Sequence, residues 1–198
     1  MSKNGSTKIV TPSPRETNTL VGHEATELNL ANSFKTGRIS HALLIGGPRG
    51  IGKATLAYRF ARYVLSKSAT DSDFVQRKNG DSPLALPPGD EVAARVSSGA
   101  HADLFILEKG INPRTGHSRG EITVGEARQL HHFLSLTPAE SKWRIAVVDA
   151  ADEMNRNAAN AVLKSLEEPP PRTVLMLVSH APGRLLPTIR SRCQQITL

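Results

Sequence analysis

Ala42-Leu43-Leu44-Ile45-Gly46-Gly47-Pro48-Arg49-Gly50-Ile51-Gly52-Lys53-Ala54-Thr55 is the stretch around which this 198-residue chain is organised. An apolar run enters a glycine-rich turn in which Gly47 and Gly52 enclose four residues, and Lys53 follows at once. That is the form of a phosphate loop set between a strand and a helix. From Thr55 onward Leu56, Phe60 and Val64 recur every four residues, with Ala57, Ala61 and Leu65 beside them, so an amphipathic helix begins where the loop ends. Glycines let successive backbone N–H groups turn inward, the helix dipole adds partial positive charge, and Lys53 supplies a full one to the β and γ phosphates. Gly47, Gly50, Gly52, Lys53, Ala54 and Thr55 are therefore the first candidate nucleotide-binding residues. A glycine pattern alone would also suit a ligand-free turn; the lysine and the flanking elements favour nucleotide.

The same motif lacks one part. A Ser or Thr hydroxyl normally follows the lysine and holds Mg²⁺. Here Ala54 follows, and a methyl ligates nothing. The second informative stretch, Arg144-Ile145-Ala146-Val147-Val148-Asp149, reads as a buried strand ending in an acid that can hold Mg²⁺ through water. Hydrolytic phosphate-loop proteins follow that acid with a glutamate, whereas this chain continues with Ala150. Asp152 and Glu153 fall past the strand end and are expected to lead into the next helix. Nucleotide binding is thus favoured over efficient hydrolysis.

The rest of the chain supplies a sheet around these two strands. Residues 1–18 are polar with two prolines and read as a mobile arm, and residues 19–198 as the nucleotide-binding domain. A helix is expected over 23–35, a strand over 41–45, and an excursion from the sheet over 67–102 with one short helix at 90–96. A buried strand at 103–107 then precedes a polar loop to Gly120. Thr123 and Glu126 make a capping box whose helix carries Ala127, Leu130 and Leu134. Ala158, Val162 and Leu166 mark a further helix ending before Pro169. Thr173 to Val178 is a buried strand, with Ser179 at its carboxyl end, where a parallel sheet presents polar groups to a ligand. A short helical turn over 185–190 and a last strand over 194–198 complete an alternating β and α order, which gives an α/β fold with a mostly parallel sheet covered on both faces. His131 and His132 diverge on their helix and read as surface residues rather than a metal pair.

Composition narrows the setting. A net charge of +7 suits a polyanionic neighbourhood, but aromatic residues make up only 4%, too few for a base-stacking platform. Cys193 is the sole cysteine, which excludes an internal disulfide and a multi-cysteine zinc site and fits the cytoplasm. No secretory core or membrane span is legible.

Leu20-Val21-Gly22-His23-Glu24, the phosphate loop, Asn160-Ala161-Val162-Leu163-Lys164-Ser165-Leu166-Glu167-Glu168-Pro169-Pro170 and Ser191-Arg192-Cys193 together resemble the nucleotide-binding domain of bacterial clamp loaders, in the right order from about Leu20 to Leu198. Asp149-Ala150-Ala151 and Ala54 are similar to the delta-prime branch of that DNA polymerase III family rather than to the hydrolysing gamma or tau branch. The resemblance implies an AAA+ fold with a five-stranded parallel sheet, and a lid and a collar domain beyond this chain. It implies that Arg192 is an arginine finger reaching the γ-phosphate of ATP held by a neighbouring subunit. Gamma/tau and delta subunits, the sliding clamp and primed DNA are the partners it implies. Lys164 matches a family position facing the assembly's interior, either sensing DNA or solvating that face. The four-cysteine zinc module frequent in the family has no counterpart in 67–102, so no zinc is expected. The retained Gly52 and Lys53 leave ATP or ADP as the cofactor, with Mg²⁺ in question. A self-sufficient AAA+ ATPase of replication or repair is the competing reading, and Ala54 with Ala150 argues against it. A phosphate-loop small-molecule kinase would need an acceptor pocket and lid arginines that the sequence lacks.

Overall fold

In a computed structural model, which describes residues 12–66 and 82–198, the apolar run that opens the phosphate loop is strand β1, Ala42–Gly46, buried along its whole length. Helix α1, Glu24–Lys35, precedes it, and α2, Lys53–Leu65, follows the loop. Then come α3 (Glu91–Ser98), β2 (Leu104–Leu107), α4 (Val124–Ser135), β3 (Arg144–Asp149), α5 (Arg156–Glu167), β4 (Thr173–Ser179), α6 (Pro187–Arg190) and β5 (Gln194–Thr197). The strands form one sheet in the order β2-β3-β4-β1-β5, with every pairing parallel. The expected five-stranded parallel sheet is therefore present, with helices on both faces. The inner strands β3, β4 and β1 are covered on both sides, which is why they read as continuous apolar runs, whereas the edge strand β5, Gln194–Thr197, is polar and largely exposed.

Alternation still decides which face each residue serves. Leu43, Ile45, Ile145, Val147, Val174, Met176 and Val178 pack with α1, α2 and α3. Ala42, Leu44, Ala146, Val148, Leu175 and Leu177 pack with α4, α5 and α6. Helix α2 is the most deeply set: Leu56, Ala57, Phe60 and Ala61 have no exposed surface. The expected capping box starts α4, with Glu126 accepting from the Thr123 N–H at 2.7 Å. Asn155 caps α5 by accepting from the Ala158 N–H at 2.9 Å.

Two local readings change. Helix α2 begins at Lys53, two residues before its apolar periodicity, because Gly52 caps it from the loop itself. Residues 12–18, expected to belong to a mobile arm, lie across α2 and α3. Arg62 is 3% exposed and donates to the carbonyls of Arg15 and Thr17 and to Asn18 Oδ1 at 3.2, 2.6 and 2.8 Å. A buried guanidinium needs acceptors, and this polar segment supplies them. The remainder of the arm, 1–11, and residues 67–81 of the excursion lie outside the described residues. No helix among the described residues is long and apolar enough to cross a membrane.

Candidate nucleotide site

The phosphate loop closes by contacts that only glycine admits. Gly47 has φ +150°, and a Cβ there would stand 2.6 Å from the Leu198 carbonyl oxygen. Gly52 has φ +100°, and a Cβ there would collide with the Leu20 side chain. A larger residue at Gly47 would meet backbone and push the loop open, whereas at Gly52 the Leu20 side chain could shift and the left-handed φ is what requires glycine. Gly50 lies at the exposed tip of the loop. The segment before α1 is tied to the same loop, since His23 Nε2 donates to the Ile51 carbonyl at 2.9 Å.

Lys53 lies at the first position of α2, buried at 3% exposure, with its ammonium donating to the Pro48 carbonyl at 2.5 Å. Burial draws the ammonium below its ordinary lysine range, while Asp152 and Asp149 pull the other way. The cation is thus folded back onto the loop at the α2 N-terminus. Thr55 is buried in the first turn of α2, and the half-buried Ala54 methyl in the same turn packs against the core.

Asp149 ends β3 on the sheet face that α2 covers, by the same alternation that places Ile145 and Val147 there. Burial pushes its carboxyl above the ordinary range, with Glu108 and Glu153 adding to the push and His180 and Lys53 opposing it. Asp152 and Glu153 do not simply lead into α5. Asp152 accepts the His180 N–H at 2.8 Å, and Glu153 lies 2.9 Å from Lys109 Nζ and 3.8 Å from Arg49 of the loop. Glu153 therefore bridges the loop to the segment after β2.

Ser179 ends β4 opposite Gly46 of β1 and is fully buried. Its hydroxyl accepts the Ala181 N–H at 3.2 Å and bonds to Asp152, which helps hold the Asp152 carboxyl low against the effect of burial. The next residue, His180, shares the parity of Met176 and Val178 and so belongs to the α2 face, level with the start of the loop. Its Nδ1 is buried without a partner. His180 is the polar strand-end residue that the sequence reading passes over. Counting alternation from Val178 rather than stopping at the last apolar residue would have found it.

The donor set fits a polyphosphate better than a metal. Loop N–H groups, the α2 N-terminus and Lys53 suit phosphate oxygens. For Mg²⁺, Ala54 offers no oxygen and Asp152 is already engaged by the His180 N–H and by Ser179. Among the described residues no group of three or more His, Cys, Asp or Glu is placed to hold a metal ion.

Arg192 lies at the opposite end of the sheet. Strand β5 runs parallel to β1 with Thr197 beside Gly46, so Arg192 precedes that level by five residues. It sits in the turn before β5, and the strand from Gln194 to Thr197 alone puts about 10 Å between that turn and the level of Gly46. Its side chain is 37% exposed, with the guanidinium 3.0 Å from Glu167 of α5 and donating to the Thr188 carbonyl at 3.0 Å. Lys164 lines an open groove of about 680 Å³ between α4 and α5, together with Arg128, His131, His132 and Asn160, and no carboxylate lines it. His131 is bonded to Ser165 of α5 at 3.2 Å.

A family model described as DNA polymerase III, delta subunit, matches residues 22–198. The chain is 39% identical over 158 residues to the DNA polymerase III subunit delta' of Pseudomonas aeruginosa, covering 79% of this chain and 42% of that protein. It is 34% identical over 168 residues to the delta' subunit of Bacillus subtilis, covering 84% and 44%. To the tau subunit of Escherichia coli it is 28% identical over 180 residues, 90% of this chain and 25% of that one. Among solved structures, a gamma subunit-related protein of Thermotoga maritima superposes with a TM-score of 0.52 at 22% identity, over 85% of this chain and 45% of that one, a likeness of fold. The chain thus spans less than half the length of the relatives it matches.

Proposed function

The chain belongs to the DNA polymerase III delta-subunit family, and we propose that it is the AAA+ nucleotide-binding domain of a delta-prime-type subunit of the replicative sliding-clamp loader. In this reading the domain binds ATP or ADP weakly through its own loop and does not hydrolyse it. Its catalytic contribution is Arg192, offered to ATP held by a neighbouring gamma or tau subunit. The observation that carries the reading is the place of Arg192, in the turn between α6 and β5 at the amino end of the sheet, while the chain's own phosphate loop leaves the carboxyl end of β1: an arginine there serves another chain's nucleotide or none.

Each residue then has a task. Gly47, Gly50 and Gly52 shape the loop, and Lys53 with the N–H groups of the α2 N-terminus at Ala54 and Thr55 neutralises phosphate. Asp149, Ser179 and His180 line the strand ends beside it. Bound nucleotide would bring a polyphosphate whose charge these groups offset, with little help from Mg²⁺ because Ala54 and Ala150 supply no ligand and orient no water. Arg192 has the permanent charge and planar fork that suit a γ-phosphate in the transition state. The α4–α5 groove, with Arg128 and Lys164, faces primed DNA in the assembly, and the delta subunit and the clamp complete its cytoplasmic partners.

Calorimetric titration of the purified chain with ATP, in Mg²⁺ and in EDTA, alongside a phosphate-release assay tests this. Weak binding without turnover, similar in the two buffers, is expected. Turnover that Lys53→Ala abolishes would make the chain an ATPase in its own right.

A further inference from the structure

Glu167 is a misplaced acid by the rules that govern helix ends. It closes α5, with Glu168 as the cap residue after it, and both carboxylates face the negative end of the helix dipole. The compensating cation for Glu167 is Arg192, whose Nη2 lies 3.0 Å from its Oε1. From the other side the Thr188 carbonyl of α6 accepts from Arg192 Nη1 at 3.0 Å. Helix α6 is itself fixed, because Ile189 is fully buried in the core that α4 and α5 share. One guanidinium is thus gripped between two elements that are both anchored in the fold.

We propose that Glu167 is a positioning residue for Arg192, holding in this chain the guanidinium that acts on the neighbouring subunit's nucleotide; this rests on the reading of Arg192 given above. The ion pair is 37% and 52% exposed at its two side chains, so it adds little to the stability of the domain. Its consequence is orientation. A free arginine side chain loses its rotamer entropy when it engages a phosphate, and an arginine already held in one arrangement has less to lose. A guanidinium carries five N–H donors, so one carboxylate and one carbonyl leave the fork able to clamp a phosphate as well. Glu167 touches no reacting atom and acts only through Arg192.

The test uses the full-length subunit reconstituted with hydrolysing neighbours, with DNA-stimulated ATP hydrolysis followed as kcat and KM. Glu167→Gln, which keeps the side-chain size and removes the charge, should lower kcat about threefold to fivefold, the range an exposed ion pair can supply. KM for ATP should stay at the parental value, and the same substitution in an Arg192→Ala background should cause no further loss. A parental or raised kcat, a changed KM with unchanged kcat, or an equal loss in the Arg192→Ala background would overturn the positioning role. If Arg192→Ala itself left the rate unchanged, the trans-acting reading would fall and the positioning role with it. If Arg192→Ala lowered the rate while Glu167→Gln did not, only the positioning role would fall.

Discussion

Asp103 and Asp149 stand at opposite ends of the same sheet, and the fold treats them in opposite ways. Asp103 precedes β2 and is fully buried, yet the N–H groups of Ala139, Glu140 and Ser141 donate to its carboxylate at 2.7, 2.8 and 2.7 Å. Burial pushes that carboxyl up, but the three N–H donors and the nearby Arg144 outweigh it and hold the group below the ordinary range. Asp149, at the carboxyl end of β3, has its carboxyl pushed up by burial and by Glu108, and the opposing His180 and Lys53 do not restore it. A charge whose donors are built into the fold locks a loop in place. A charge left without them stands at the end of the sheet where we propose that a nucleotide's own charges are accommodated.

Substitutions at the two ends should separate these roles. Asp103→Ala leaves three buried N–H groups and Arg144 without their acceptor, and should cost about 3 kcal/mol at neutral pH, read by urea denaturation. Because the folded-state pKa of Asp103 is depressed, its contribution is present above the unfolded-state value of about 3.9 and is lost as pH falls through the lower folded-state value. The difference between variant and parent should therefore shrink in acid. A cost that persisted unchanged at the lowest pH would mean that packing, not charge, is what Asp103 supplies.

At the other end, the expected effects concern ligand more than stability. Ala54→Ser combined with Ala150→Glu should raise affinity for ATP in Mg²⁺ about tenfold, equivalent to about 1.4 kcal/mol, and leave affinity in EDTA unchanged. Equal gains in both buffers would show that the added groups reach the nucleotide without a metal. The smallest effect is expected from Asp149→Asn, a gain of up to about 1 kcal/mol in folding stability at neutral pH. Here the folded-state pKa is raised, so the penalty of the charged form is absent below the unfolded-state value and complete above the folded-state one. The gain should accordingly vanish in acid, and a loss of stability at neutral pH would contradict the account of this carboxylate.

Much of the fold could be read from local pattern. The apolar runs 42–45, 104–107, 145–148 and 174–178 are too short for helices and too continuous for a half-exposed sheet, and each is a strand, buried throughout except at the edge, where Phe105 and Ile106 of β2 are half-buried. The capping box at Thr123 and the stop before Pro169 fix helix ends by chemistry written within a few residues. What escaped the reading depends on partners distant in sequence. Arg62 draws residues 15–18 onto α2 across more than forty positions, and nothing in their polar composition announces it. Asp152 is committed to His180 and Ser179 rather than to the start of α5, which only the closure of β3 beside β4 reveals. At the site, glycine spacing and Lys53 pick out the loop, whereas His180 follows the last residue of β4 and is reached only by carrying the alternation of Met176 and Val178 one step past the strand end.

If this chain's chemistry serves a neighbour's nucleotide rather than its own, paired substitutions in one assembly should show it most directly. In a loader reconstituted with the full-length subunit, Arg192→Ala should reduce DNA-stimulated ATP hydrolysis by about a thousandfold at each site it serves. Lys53→Ala in the same assembly should leave the rate within about twofold of the parent, less than about 0.5 kcal/mol. A rate abolished by Lys53→Ala and indifferent to Arg192→Ala would contradict it.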